Sequence, residues 1–344
     1  MSIVIIRRPR EDERSKTGLG RYADSVEDTL KKDGCSYSVV EADIVLANGF
    51  LHGIRDGFFT PLRQSRRLCR DDNTVVHATD ELCGVFFPFI HGKRILTLHH
   101  VVKTTEGRGR LYNIIWNLVT RVAVRYADEI VAVSPNTAEA VMDAFNPKVP
   151  VRVIFNRPSV DYRRDDSIAR EPLVGVVAEL ISRKNVIESI RAFDILVGMD
   201  GMDNLRMVIC GQGIEKDNLV QAVENAGLAG RVDFVDSLTD AELRGLYNRM
   251  SVLFNTSLHE GVGMVSLEAN LCGTPVLCLK DADIPPEVTA ASVKCVDDKD
   301  LAVQAYRLLT DTEYYSEVSH NSIDMAVKFG EGFTESMRSL YGFI

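Results

Sequence analysis

Short apolar runs alternate with stretches of helical period along most of the chain. IVII (3–6), IVLA (44–47), TVVH (74–77), ILTL (95–98) and IVAV (130–133) are apolar on successive residues, and VRVIF (151–155) closes this series. A second series follows: LVGVVA (173–178), RMVIC (206–210), VDFV (232–235), VLFN (252–255) and PVLCL (275–279). A strand that is apolar on both faces belongs in a sheet covered on both sides. Residues 20–32, 58–70 and 110–126 in the first half have the apolar spacing of helices, as do 185–198, 215–226, 240–249 and 262–272 in the second. Strand–helix alternation of this kind predicts parallel sheets, and two sets predict two doubly wound α/β domains. The break between them is expected at 156–171, NRPSVDYRRDDSIARE, which is polar, carries a proline and has no apolar period. The expected order is a Rossmann-like domain over 1–155, a hinge over 156–171 and a second Rossmann-like domain over 172–325. A C-terminal helix over 326–344 is expected to pack back on the first domain.

Composition narrows the class. The 344 residues are 45% apolar and 26% charged, which excludes a disordered chain, a fibre and a disulfide-stapled mini-protein. No apolar run reaches the length of a membrane span. The start, MSIVIIRRPRED, puts apolar residues before charges, the reverse of a secretory signal. Seven cysteines without a C-x-x-C pair read as buried thiols in a reducing compartment, so a cytoplasmic protein is expected, with the inner membrane face as one location. The net charge of −9 is uneven: residues 1–155 carry +3 and the remainder −12. An acidic chain is a poor nucleic-acid binder. Helix 110–126, RLYNIIWNLVTRVAVRY, holds the only tryptophan and a wide apolar face edged by arginines. It reads either as a buried helix with a solvated arginine edge or as a peripheral membrane contact of the N-terminal domain.

The chemistry concentrates in 250–279, MSVLFNTSLHEGVGMVSLEANLCGTPVLCL. A strand ends near Asn255, a loop runs through His259-Glu260-Gly261-Val262-Gly263, and a helix follows. Two glycines let backbone approach a ligand, and the helix start offers unpaired N–H groups and a positive dipole end. Such a loop at the carboxyl end of a parallel strand is a phosphate cradle. A glutamate beside it is tolerated when it accepts from hydroxyls, which a sugar or ribose supplies.

The pattern Glu260-x7-Glu268, with Gly261 and Gly263 inside it and EAxxxGTPV across its end, resembles glycosyltransferase family 4. GQG (211–213), RVDFVDSLTDAELRGLYNRMSVLFNTSLHEG (231–261), KN (184–185), ADEIVAVSPNTAEAVMDAF (127–145) and TGLGRYADSVEDTL (17–30) resemble family segments in the family's order. The resemblance implies the GT-B fold, two Rossmann-like domains facing each other across a cleft. It implies a retaining, metal-independent glycosyltransferase of hexosyltransferase type. Such an enzyme moves a sugar from a nucleotide-diphosphate sugar to an acceptor hydroxyl on a glycolipid, polysaccharide or other glycan. No cofactor is expected, the sugar nucleotide being a substrate. By the same resemblance the C-terminal domain holds the nucleotide sugar and the N-terminal domain the acceptor, lipid-linked or glycan.

Residue by residue, the resemblance puts Glu268 on the ribose hydroxyls and Glu260 on the donor sugar near the reacting centre. It puts the backbone of Gly261, Gly263, Met264 and Val265 beside the donor. Arg183 and Lys184 would face the diphosphate, Gly20 the donor phosphate or the acceptor, and His99 the donor sugar. Glu260 and His99 are the catalytic candidates. Val262 and Met264 depart mildly from the common E-G-F-G-L. Glu179 stands where the family commonly has an arginine, Ala178 where it has a glycine, and His100 where an aspartate often follows the histidine. These departures keep a second reading open, a catalytically inactive homologue acting as a binding or regulatory partner. A sugar-nucleotide epimerase or a phosphorylase is a third. Asp281-Ala-Asp283 is a DxD, the metal-ligand pattern of the other glycosyltransferase fold, but it follows the wrong strand and reads as a loop. Asn255-Thr256-Ser257 is a formal glycosylation sequon at the expected site, and His77, similar in position to another recurring family histidine, is more simply a satisfied core or surface residue.

Overall fold

The computed structural model describes residues 2–10, 18–43, 55–99, 101, 110–159 and 161–343. It divides into two compact units. The first comprises residues 1–12, 16–156 and 333–344; the second comprises 13–15 and 157–332.

The N-terminal unit is built on β1 (Ser2–Arg7), α1 (Gly18–Lys32), β2 (Tyr37–Glu41), α2 (Thr60–Leu68), β3 (Thr74–Ala78), β4 (Lys93–Leu98), α3 (Arg110–Tyr126), β5 (Glu129–Ala132), α4 (Pro135–Phe145) and β6 (Val151–Val153). A 3-10 segment, Cys83–Phe89, follows β3. All strands are parallel, in the order β2-β1-β3-β4-β5-β6. The strand beside β1 is Tyr37–Glu41, a half-buried edge whose polar residues gave no continuous apolar run. The apolar run 44–47, expected as a strand, lies outside the described residues. Alternate residues of the central strands split between two faces, as a pleated sheet requires. Val4, Ile6, Val76, Ala78, Leu96 and Leu98 join one core with the 3-10 segment and α3. Their neighbours on the opposite face include His77 and Thr97, which meet Tyr22 of α1 and Tyr341.

The C-terminal unit holds β7 (Leu173–Val177), α5 (Val186–Val197), β8 (Arg206–Cys210), α6 (Lys216–Asn225), β9 (Val232–Val235), α7 (Asp240–Arg249), β10 (Val252–Asn255), α8 (Met264–Leu271), β11 (Val276–Leu279), β12 (Val293–Cys295) and α9 (Asp298–Thr310). The long α10 (Thr312–Tyr341) begins in this unit, and its residues from Phe333 onward belong to the other. The parallel order is β12-β11-β10-β7-β8-β9. Val174, Val176, Met207, Ile209 and Phe254 pack with α5 and α9. Leu173, Val208, Cys210, Leu253 and Val276 pack with α7 and α8. Each apolar strand therefore feeds two cores, the physical reason its sequence does not alternate.

The segment 156–171 is tied down rather than extended. Tyr162 is buried against Tyr247, and Arg170 donates to the carbonyls of Tyr247, Met250 and Cys272 and to Thr274. The seven cysteines are unpaired thiols, and six are buried. Burial raises the pKa of those six, to about 12 for Cys272 and Cys295. No described helix is long and apolar enough to cross a membrane.

Candidate active site

In the C-terminal sheet the chain reverses its winding between β7 and β10, which are hydrogen-bonded neighbours. Loops leaving the carboxyl ends of two such strands diverge and leave a crevice, the usual ligand position of an open parallel sheet. The loop after β7 carries Arg183 and Lys184 in a 3-10 turn, Ser182–Lys184. They precede α5 rather than open it, because Asn185 takes the left-handed conformation (φ 49°) and acts as the helix cap. Asparagine is among the few non-glycine residues suited to that conformation.

GQG (211–213) has a structural role in this loop. Leu180 donates to the Gln212 carbonyl at 2.7 Å, and Glu215 donates to the Leu180 carbonyl at 2.9 Å. A Cβ on Gly211 would lie 1.8 Å from the Ala178 carbonyl oxygen, and one on Gly213 2.2 Å from that of Leu180. The glycines let the loop after β8 lie against the loop that presents Arg183 and Lys184.

The loop after β10 is laced to the same place. Leu258 donates to the Arg183 carbonyl, and Thr256 Oγ1 donates to the carbonyl of Asn185. Lys184 Nζ donates to Glu260 Oε1 at 2.5 Å, and Ser257 Oγ donates to the same oxygen at 2.7 Å. Arg183 Nη1 lies 3.6 Å from Glu260 Oε2 and donates to the His259 carbonyl. The Lys184 and Glu260 side chains are each 13% exposed, while Arg183 is 41% exposed. Two cations thus share one carboxylate, and the cluster keeps an excess positive charge.

Beside it α8 begins at Met264, two residues later than the apolar period suggests. Its cap, Gly263, has φ 87° and offers no side-chain hydrogen bond. The N–H groups at the start of a helix without a side-chain cap are free for a ligand. Gly263 is required by its backbone, whereas a Cβ on Gly261 would meet nothing within 4 Å. Asn255 ties β10 to α8 by donating to Ser266 Oγ at 2.9 Å and is buried, so the formal sequon is a structural hinge-pin. Asp283, from the DxD, hydrogen-bonds His259 Nδ1 at 2.6 Å and exchanges backbone bonds with Leu258 and Glu260. It clips the loop in place.

Glu268 lies one turn deeper in α8. It is fully buried and accepts from Tyr247 Oη at 3.1 Å, so a ribose can meet it only where its cover gives way.

The other two expected residues are in the N-terminal unit. Gly20 sits in the first turn of α1, which starts at Gly18, so neither glycine forms a separate loop before the helix. His99 closes β4: its Nε2 donates to the Thr79 carbonyl at 2.9 Å, and its backbone N–H donates to Glu81 at 2.6 Å. His77 is fully buried between Tyr341 and Thr97, which makes it a core rather than a surface histidine; burial, with His99 nearby, lowers its pKa to about 3.

The comparisons fit this geometry. Residues 161–325 match the family described as glycosyl transferases group 1. The chain is 28% identical over 182 residues to a D-inositol 3-phosphate glycosyltransferase of Corynebacterium jeikeium, a match covering 50% of this chain and 43% of the relative. The chain spans less than two thirds of the length of the first curated relatives it matches. Among solved structures it resembles sucrose-phosphate synthase from Thermosynechococcus elongatus, with TM-score 0.76, 17% identity and coverage of 99% and 98% of the two chains. Anabaena HepE, solved with UDP-glucose, gives TM-score 0.71 at 17% identity over 100% of both. The fold is that of the GT-B glycosyltransferases, two Rossmann-like domains.

Within the C-terminal unit, sequence reading missed Ser257 and Tyr247, which hold the two glutamates. Ser257 stands three residues before Glu260, a spacing that could have flagged it. Tyr247 is 21 residues from Glu268, on α7, and nothing local connects them. In the N-terminal unit it missed Glu81 and Asp80, at the carboxyl end of β3.

Proposed function

We propose that this protein is a retaining, metal-independent glycosyltransferase that moves a hexose from a nucleotide-diphosphate sugar to an acceptor hydroxyl. The observation that carries the reading is the cluster of Arg183, Lys184, Glu260 and the α8 start at the β7/β10 crevice. A sugar nucleotide's bond to phosphate breaks with negative charge growing on the diphosphate, and fixed cations and helix N–H groups stabilise that charge. Lys184, Arg183 and the backbone of Gly261, Gly263, Met264 and Val265 take the diphosphate in this reading. Binding it pulls Lys184 from Glu260 and frees the carboxylate for the donor sugar, where it opposes the positive charge that grows on the ring. Arg183 supplies the cation for which the chain has Glu179 in the family's usual arginine place. Glu268 takes the ribose, His99 a donor-sugar hydroxyl and Gly20 the donor phosphate. The N-terminal unit takes the acceptor, a glycan or a lipid-linked sugar, and residues 156–171 act as the hinge. The leaving phosphate accepts the acceptor's proton, so no protein nucleophile is required. In this reading the protein works on the cytoplasmic side, a reducing compartment that suits its unpaired cysteines.

A thermal-shift screen of nucleoside diphosphates, followed by turnover on matching sugar nucleotides with chelator present, tests this. A stabilising diphosphate and hydrolysis or transfer that survives chelation are expected. Stabilisation without turnover on any donor would favour the inactive binding homologue. Turnover lost in chelator and restored by magnesium would refute metal independence.

A further inference from the structure

One surface of the N-terminal unit stands apart from an otherwise acidic chain. The 3-10 segment Cys83–Phe89 packs against α2 on one side and α3 on the other. It fits closely: a Cβ on Gly84 would lie 2.6 Å from Ala123 Cβ. On this continuous face several large apolar side chains point to solvent. Phe59 is 59% exposed, Phe89 50% and Leu118 60%, and Ile114 joins them on α3. The two phenylalanines form an aromatic ridge around Phe58, whose ring stands 5.5 Å from Phe59 and 6.5 Å from Phe89 and is anchored on buried Phe86. Leaving such rings in water is unfavourable, so their place beside one another implies a cover.

Among the described side chains of α2, Cys83–Phe89 and α3, the charge has one sign. α2 exposes Arg63, Arg66 and Arg67, and Arg70 follows its end. α3 exposes Arg121 and Arg125, the former lying over the Phe145 ring. Neither helix nor the segment between them contains an aspartate or glutamate. Among the described side chains, Asp71 and Asp72 lie beyond α2, and Glu139 and Asp143 lie on α4.

We propose that the face made by α2, Cys83–Phe89 and α3 docks on an anionic lipid surface. Phe59, Phe89 and Leu118 enter the boundary between headgroups and acyl chains, and the arginines pair with lipid phosphates around them. An amphipathic surface with cations rimming exposed aromatic and aliphatic side chains has the chemistry of interfacial binding. A second copy fits less well, because a two-fold contact would set the arginine array against itself. A nucleic acid would use the arginines and leave the apolar ridge wet.

Flotation of the full chain with phosphatidylcholine vesicles, with and without phosphatidylglycerol, tests the proposal. Binding is expected only with phosphatidylglycerol, weakening as salt rises. Replacing Arg63, Arg66 and Arg67 by glutamine should weaken partitioning about a hundredfold, at about fivefold per arginine. Phe59→Ser with Leu118→Ser should weaken it by about tenfold or more even at low salt. Arg191→Gln, on the other unit, should change nothing, and circular dichroism should show every variant folded. Failure to bind phosphatidylglycerol vesicles at low salt, or equal binding to phosphatidylcholine alone, would overturn it. So would a wild-type dimer in sedimentation that the Phe59/Leu118 variant dissociates. The proposal does not rest on sugar transfer: no donor or acceptor enters the assay, and donor turnover without vesicles should be unchanged in these variants.

Discussion

The two units each carry a six-stranded parallel sheet, yet they treat the carboxyl edge beside their winding reversals differently. After β3, Asp80 accepts from the backbone N–H groups of Leu82 and Cys83 at 2.8 and 3.0 Å and from Arg8 Nε at 2.9 Å. The start of the following 3-10 segment is thereby occupied by the protein's own carboxylate. After β10, Gly263 leaves the start of α8 without a side-chain cap, and the nearby cations exceed the one carboxylate that they share. The N-terminal unit also keeps Arg7 with Asp24 and Glu27, and His77 between two hydroxyls. A fold shared by both units therefore does not by itself make an anion site. That depends on whether the loop brings its own carboxylate to the helix start.

The sharpest way to break this contrast is at Glu260. Glu260→Gln keeps the size and one acceptor oxygen but removes the charge. Turnover on a matched donor and acceptor should fall about 100-fold or more, with donor affinity much less changed, because the interaction strengthens in the transition state. Wild-type kcat would remove Glu260 from the chemistry, and equal damage to binding would move it to the nucleotide.

Glu268→Ala should weaken nucleoside diphosphate binding by about 1.5–3 kcal/mol, the range for a hydrogen bond to a charged group. Calorimetry on the folded variant reads it. Because Glu268 is held by Tyr247, unaltered affinity would mean that the carboxylate serves only the α7–α8 packing.

His77 tests the buried side of the comparison. Unfolded, it gains a proton near 6.5; folded, burial first and His99 second hold it down to about 3. Its contribution is thus full above 6.5 and is lost as pH falls toward 3, by ~1.4 kcal/mol per unit. Denaturant unfolding should show about 2 kcal/mol lost between pH 6.5 and about 5, and His77→Gln should flatten that slope. A wild-type curve as flat as the variant's would mean that the histidine is not held neutral.

The smallest effect is expected at the cap. Gly263→Ala must hold a side chain at φ 87° and should cost about 1 kcal/mol in thermal unfolding. No loss would show that the loop relaxes to a right-handed backbone, and then the α8 start is not fixed for a ligand.

What the sequence settled by itself was whatever local chemistry dictates. Runs such as LVGVV and RMVIC can satisfy both faces only inside a covered parallel sheet, so strands and fold class were legible. The pair Glu260 and Glu268, eight residues apart around two glycines, was singled out through the family resemblance that this spacing carries. Short edges escaped: β12 has three residues and β2 is polar, so neither has a period to read. Only the tertiary structure decided which charges meet. Lys184 and Glu260 are 76 residues apart, and they pair because the crossover places β7 beside β10. The burial of Glu268 under Tyr247, and the joining of three separate segments into one arginine-rimmed apolar face, were decided in the same way. Hydrophobic period is a property of neighbours along the chain, whereas an ion pair or a surface patch is a property of neighbours in space.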